Sequence, residues 1–105
     1  RDGFNLVDGE RLIRINLDDI LFLEGLDDYL KIHLENAKPI VARMTIKNIL
    51  ERLPSPQFLR VHRSFVVNMN KISSFKSKTI YIHNDEIPVG NSFEEQFLEA
   101  FKQKN

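Results

Sequence analysis

The apolar residues of this chain fall in short runs separated by turn formers, and that spacing most limits what it can fold into. Leu12, Ile13 and Ile15 lie among Arg11, Arg14 and Asn16. Ile20 to Glu24 is a brief apolar run, Leu30, Ile32 and Leu34 alternate with Lys31 and His33, and Pro39 to Met44 is another short stretch. Leu59 and Val61 alternate with Arg60 and His62, the pattern breaks at Arg63-Ser64, and Phe65-Val66-Val67 resumes it. Ile72 to Phe75, Thr79 to His83 and Glu86 to Val89 complete the series. Successive side chains of a strand point to opposite faces, so short period-two runs rich in β-branched and aromatic residues predict strands. The breaks between them are Asp8-Gly9, Asp18-Asp19, Gly25 to Asp28, Asn36 to Pro39, Lys76 to Lys78 and Asn84-Asp85. Gly tolerates positive φ there, and Asn and Asp side chains bond their own backbone.

Two segments alone carry helical spacing. Ile46, Ile49, Leu50 and Leu53 share one face after Thr45, a good N-cap, and Pro54 and Pro56 stop the helix. Ser92-x-x-Glu95 predicts a capping box for a second helix, whose Phe93, Phe97 and Phe101 recur every fourth residue. Lys102 and Lys104 near its end suit the helix dipole. The expected fold class is mostly β (α+β): a compact multi-stranded β domain with two short helices, residues 1–105 forming one domain. The chain opens on Arg1 rather than Met, which predicts a fragment of a longer protein.

Composition removes several classes. Without cysteine there is no disulfide framework and no thiolate metal site, which fits a cytoplasmic setting. No apolar run is long enough to span a bilayer, and no membrane contact is expected. His33, His62 and His83 lack metal-ligand spacing, and no G-x-S-x-G elbow, phosphate loop or dinucleotide motif is present. Ser64 beside His62 is not a triad, because a triad is a geometry. Asp18-Asp19 and Asp27-Asp28 are paired carboxylates that turn chemistry accounts for. The chain is therefore not expected to be an enzyme or to need a cofactor.

Charge points elsewhere. The chain carries 15 basic and 15 acidic side chains, so its net charge is zero. Residues 1–36 hold four bases and nine acids, residues 37–83 nine bases and one acid, and residues 84–105 two bases and five acids. The local balance is −5, +8 and −3. A basic centre of this kind suits a polyanion, although solvated Lys and Arg produce the same count on ordinary surfaces. Within it lies the break at Arg63. A guanidinium on a turn held between two buried strands can be aimed at a guanine edge or a phosphate. By chemistry alone, Lys47 on the first helix and Lys76 and Lys78 in the hairpin are candidate phosphate contacts.

These residues resemble a known family. Phe58-x-Arg60-Val61-His62-Arg63-Ser64-Phe65-Val66-Val67-Asn68, followed by Ile72, is similar to the signature of the LytTR domain, the bacterial DNA-binding output domain of the LytR/AlgR type. Asp19-Ile20-x-Phe22-x-Glu24-Gly25-x-x-Asp28-Tyr29, the Thr45 to Leu53 helix and Ile87 to Phe93 match other parts in order, over roughly residues 4 to 102. The resemblance implies a mostly β fold and loops that enter successive major grooves of double-stranded DNA. His62, Arg63 and Ser64 would form the central reading loop over buried Val61 and Phe65 to Val67, with Asn68 capping the next turn. Asp28 and Tyr29 would mark the first loop, with Lys31 supplying positive charge, and Asn91 the third. It further implies an upstream receiver domain and a second copy of the chain on repeated sites. The acidic first and last thirds would face away from DNA. An alternative class is a protein-protein interaction module whose acidic loops bind a partner protein.

Overall fold

Ten strands and two short α-helices fold in three layers in a computed structural model that describes residues 2 to 104, apart from the Lys104 side chain. The expected dipole contribution of that side chain lies outside the described residues. The middle layer is a five-stranded antiparallel sheet in the order β5-β4-β3-β7-β6. Its strands are β3 (Ile20–Leu26), β4 (Tyr29–Leu34), β5 (Ile40–Ala42), β6 (Phe58–His62) and β7 (Phe65–Asn68). On one face lie a two-stranded ribbon, β1 (Gly3–Asp8) with β2 (Arg11–Asn16), and the short helix α1 (Ile46–Leu50). On the other lie the sheet β8 (Ser74–Lys76), β9 (Thr79–Ile82) and β10 (Asp85–Pro88), and helix α2 (Glu94–Lys104).

The two faces explain the sequence pattern. Ile20, Leu23, Leu30, Ile32, Val66 and Phe58 point to the ribbon and α1, where Phe4, Leu6, Ile15, Ile46 and Ile49 close a first core. Leu21, Phe22, Val61 and Val67 point the other way, to Ile80, Ile82, Ile87, Val89 and Phe97. A central strand covered on both sides needs a continuous apolar run, and Ile20 to Leu23 supplies it. The second core is aromatic: Phe97, fully buried, has ring centroids 5.0 Å from Phe75 and 5.4 Å from Phe101.

Several expectations shift. Strand β1 was not legible, because Val7 points outward and is 71% exposed, which blurs the alternation of Phe4 and Leu6. The capping box does not form. The chain enters the second helix two positions earlier than a Ser92 cap requires, through a 3-10 turn over Asn91–Phe93 with Gly90 as N-cap and no side-chain cap bond. Ser92 therefore lies inside the helical turn. At α1 the cap holds, since Thr45 Oγ1 accepts the Asn48 N–H at 3.2 Å, but the helix ends at Leu50, so Leu53 joins the core from the turn before Pro54. Asn68 is fully buried and does cap the following turn, accepting the Asn70 N–H at 3.0 Å and donating to the Ile20 carbonyl at 2.8 Å. Among the described residues, no helix is long and apolar enough to cross a membrane.

Candidate nucleic-acid interface

Backbone hydrogen bonds draw three loops to one end of the central sheet. The β6–β7 connection is a two-residue turn, Arg63-Ser64, between paired His62 and Phe65. Its Ser64 carbonyl accepts the N–H of Gly25 at 2.8 Å, which ties it to β3 beside the first loop. Gly25 packs closely under α1: a Cβ there would sit 3.0 Å from Ile46 Cδ1, tighter than ordinary contact, so the Ile46 side chain would have to give way. On the other side the Val61 carbonyl accepts the N–H of Gly90 at 2.8 Å, which brings in the third loop.

The central turn is held by its own neighbours. The Arg60 guanidinium donates to the carbonyls of both His62 and Arg63, the first at 3.3 Å. His62 Nδ1 accepts the Ser64 N–H at 3.0 Å, which leaves Nε2 as the ring's donor. The His62 ring packs edge-on against Phe65, centroids 5.4 Å apart. Arg63 itself is exposed, and its guanidinium makes no hydrogen bond or ion pair among the described residues. The result is a fixed backbone that carries a free cation.

The other expected positions fall around it. A shallow cleft beside Arg63 is lined by Arg60 and Ser64, by Asp27 of the first loop, and by Thr45 and Lys47 of α1. Lys47 is exposed there. Asp27 and Asp28 form the two-residue β3–β4 turn, with Asp27 at φ 56. Aspartate tolerates that left-handed geometry better than most residues, so turn chemistry does account for Asp27. Tyr29 is 44% exposed; its hydroxyl accepts from Arg43 at 3.4 Å, and the Arg43 guanidinium lies 5.6 Å from its ring centroid. Register puts Lys31 opposite Glu24, Glu24 opposite Phe65 and Phe65 opposite His62, so Lys31 and His62 share one sheet face. Asn91 and Lys78 meet: Lys78 Nζ donates to Asn91 Oδ1 at 2.6 Å and to Glu94 Oε1 at 2.7 Å. Lys76 is exposed on the same hairpin.

The charge count resolves differently from its expected segregation. Arg52 bonds the Asn5 carbonyl at 3.0 Å and lies over the Phe4 ring, and Lys71 pairs with Glu35, so both are spent on structure. Glu35 also meets His83 Nε2 at 2.8 Å, and the His83 hydrogen bond and charge, with Lys71, hold its carboxyl below the usual range. Acids of the first and last thirds sit beside bases of the centre. Asp27 lines the Arg63 cleft, and Glu94 neutralises Lys78. Arg60 and Arg43 are the residues that sequence reasoning left unassigned. Arg60 stands in the family signature, but its role was not legible because its bonds run to backbone carbonyls. Among the described residues no cluster of three His, Cys, Asp or Glu could hold a metal.

Comparison with known proteins agrees with this architecture. The family model of the LytTr DNA-binding domain matches residues 10–102. The chain is 33% identical over 103 residues to the transcriptional regulatory protein YpdB of Escherichia coli, covering 91% of this chain and 42% of YpdB. It is 31% identical over 98 residues to the response regulatory protein VC_A0850 of Vibrio cholerae, covering 85% of this chain and 37% of that one. A solved LytTr DNA-binding domain from Bacillus cereus superimposes with a TM-score of 0.78 at 23% identity, covering 95% of this chain and 96% of that one. The chain belongs to the LytTr DNA-binding domain family, which is a family of DNA-binding domains and not of enzymes. It spans about two fifths of the length of these relatives.

Proposed function

We propose that this chain is the sequence-reading output domain of a bacterial transcriptional regulator of the two-component type, residues 1–105 being one domain of a longer protein. Its three loops enter the major groove of double-stranded DNA. Arg63 reads a guanine edge or clamps a phosphate at the centre, and His62 and Ser64 flank it. The loop at Asp28-Tyr29, with Lys31, and the loop at Asn91 contact the DNA on either side. Lys47 and Lys76 contact phosphates, which position the protein while base contacts specify the sequence. The regulator works in the cytoplasm behind a receiver domain, and two copies act on repeated sites, where pairing multiplies a weak single-domain affinity.

The observation that carries this reading is the Arg63 turn. Its carbonyls are pinned by Arg60, it is tied to the first loop through Gly25, and its guanidinium is free. The turn backbone is pre-organised, so binding has to order only the Arg63 side chain. Salt dependence tests it. Contact with about four to six phosphates gives a slope of log K against log salt of roughly −4 to −5. A slope near zero would contradict the DNA reading and favour a protein interface.

A further inference from the structure

At the third loop, Asn91 meets Lys78 of the β8–β9 turn and Glu94 of α2 in a polar triad whose atoms decide what Asn91 can offer. Lys78 Nζ lies 2.6 Å from Asn91 Oδ1 and 2.7 Å from Glu94 Oε1. An ammonium has donors only, so the Asn91 amide must turn its oxygen to Lys78 and its nitrogen away. The amide orientation is thereby fixed by chemistry. The Glu94 carboxylate, on the first turn of α2, holds the ammonium in place and cancels its charge. Asn91 and Lys78 are both exposed, so the outward Nδ2 is accessible.

The backbone supplies a second observation. Ser77 and Lys78 occupy the β8–β9 turn at φ 53 and φ 60. Two consecutive left-handed residues call for Asn-Gly or Asp-Gly, and a lysine there is strained. The Val89 N–H donates to the Lys78 carbonyl at 2.9 Å and holds the turn. Nothing about the turn's shape asks for lysine; its ammonium reaching Asn91 does.

We propose that Lys78 is a positioning residue that makes Asn91 a donor-only reader of the major groove, selecting guanine rather than adenine. This rests on the DNA-reading function proposed above. Guanine presents two acceptors, O6 and N7, to the outward Nδ2 group. The usual Asn–adenine pair needs the amide oxygen to accept from the adenine amino group. Here that oxygen already accepts from the Lys78 ammonium, which leaves Nδ2 as the outward group. Because Glu94 neutralises it, Lys78 adds no net charge toward phosphates, unlike the phosphate contact its residue type suggests.

Selection of bound duplexes from a random-sequence pool tests this, with the wild-type chain, N91A, K78G and K78R compared as covalently paired copies. Glycine at 78 removes the ammonium and relieves the positive φ, so the variant folds. The expected result is a guanine preference at one position that N91A abolishes and K78G flattens at least fivefold, toward adenine. K78R restores it, and the salt slope of K78G equals that of wild type. A K78G slope shallower by about one with an unchanged base preference makes Lys78 a phosphate clamp and overturns the inference. An unchanged preference in N91A overturns it as well. A wild-type chain that enriches no sequence overturns the DNA reading itself, an outcome distinct from both.

Discussion

Two turns stand side by side at one end of the central sheet, Asp27-Asp28 and Arg63-Ser64. Each joins two antiparallel strands with two residues, and a hydrogen bond from Gly25 to the Ser64 carbonyl links them. Their chemistry is opposite. Asp27 sits at φ 56, and its residue type follows from that conformation. No residue from His62 to Phe65 has a positive φ, so the backbone makes no such demand of Arg63. A second arginine, Arg60, is instead used to fix the carbonyls beneath it. The lesson is that an acid in a turn can be a backbone device, while the exposed cation on the pinned turn has no backbone reason and is the residue the proposed DNA contact would use.

That comparison can be broken or sharpened by mutation. The largest effect should come from the shared support. Leu23 is fully buried in β3 and pairs with Val66 of β7, beneath both turns. Leu23→Ala should lower stability by about 2–5 kcal/mol, read by urea denaturation. A loss under about 0.5 kcal/mol would mean the platform is not packed as described.

Next comes the pinning of one turn only. Arg60→Lys keeps the charge but cannot fork two carbonyls. It should weaken specific binding by about 1–2 kcal/mol and flatten the base preference, while the salt slope stays the same. A slope shallower by about one with intact preference would make Arg60 a phosphate contact.

The smallest effect belongs to the acidic turn. Asp27→Gly relieves the left-handed geometry and should change stability by no more than about 1 kcal/mol, whereas Asp27→Ala should cost about that much. Both should strengthen DNA binding slightly at low salt, because an acid beside phosphates is lost. Thermal melts and a binding titration check this; weaker binding in both variants would show that Asp27 touches a base.

Every strand but β1, both helices and the Arg63 turn were legible because each is written within a few neighbouring residues. Alternation marks the strands, Thr45 marks the start of α1, and a cation breaking an apolar run marks the turn. What escaped depends on residues meeting across space. Strand β1 needs the central sheet to show which of its side chains point inward. Lys78 and Asn91 each carried a signal, but their contact joins a hairpin to a helix start 13 positions on, and Glu94 joins it from 16. The failed capping box has the same origin: Gly90, held by the Val61 carbonyl, starts the helical turn before Ser92 can cap it.

The most direct test of the central claim is selection of bound duplexes from a random pool at low salt, with wild type and Arg63→Ala in parallel, as single and covalently paired copies. The account predicts a short enriched motif, a loss of about 1–3 kcal/mol in the variant, and a blurred preference near one position if Arg63 reads a base. Uniform weakening across sequences would make it a phosphate clamp within the same interface. An Arg63→Ala chain that binds with unchanged affinity and unchanged preference would contradict the account.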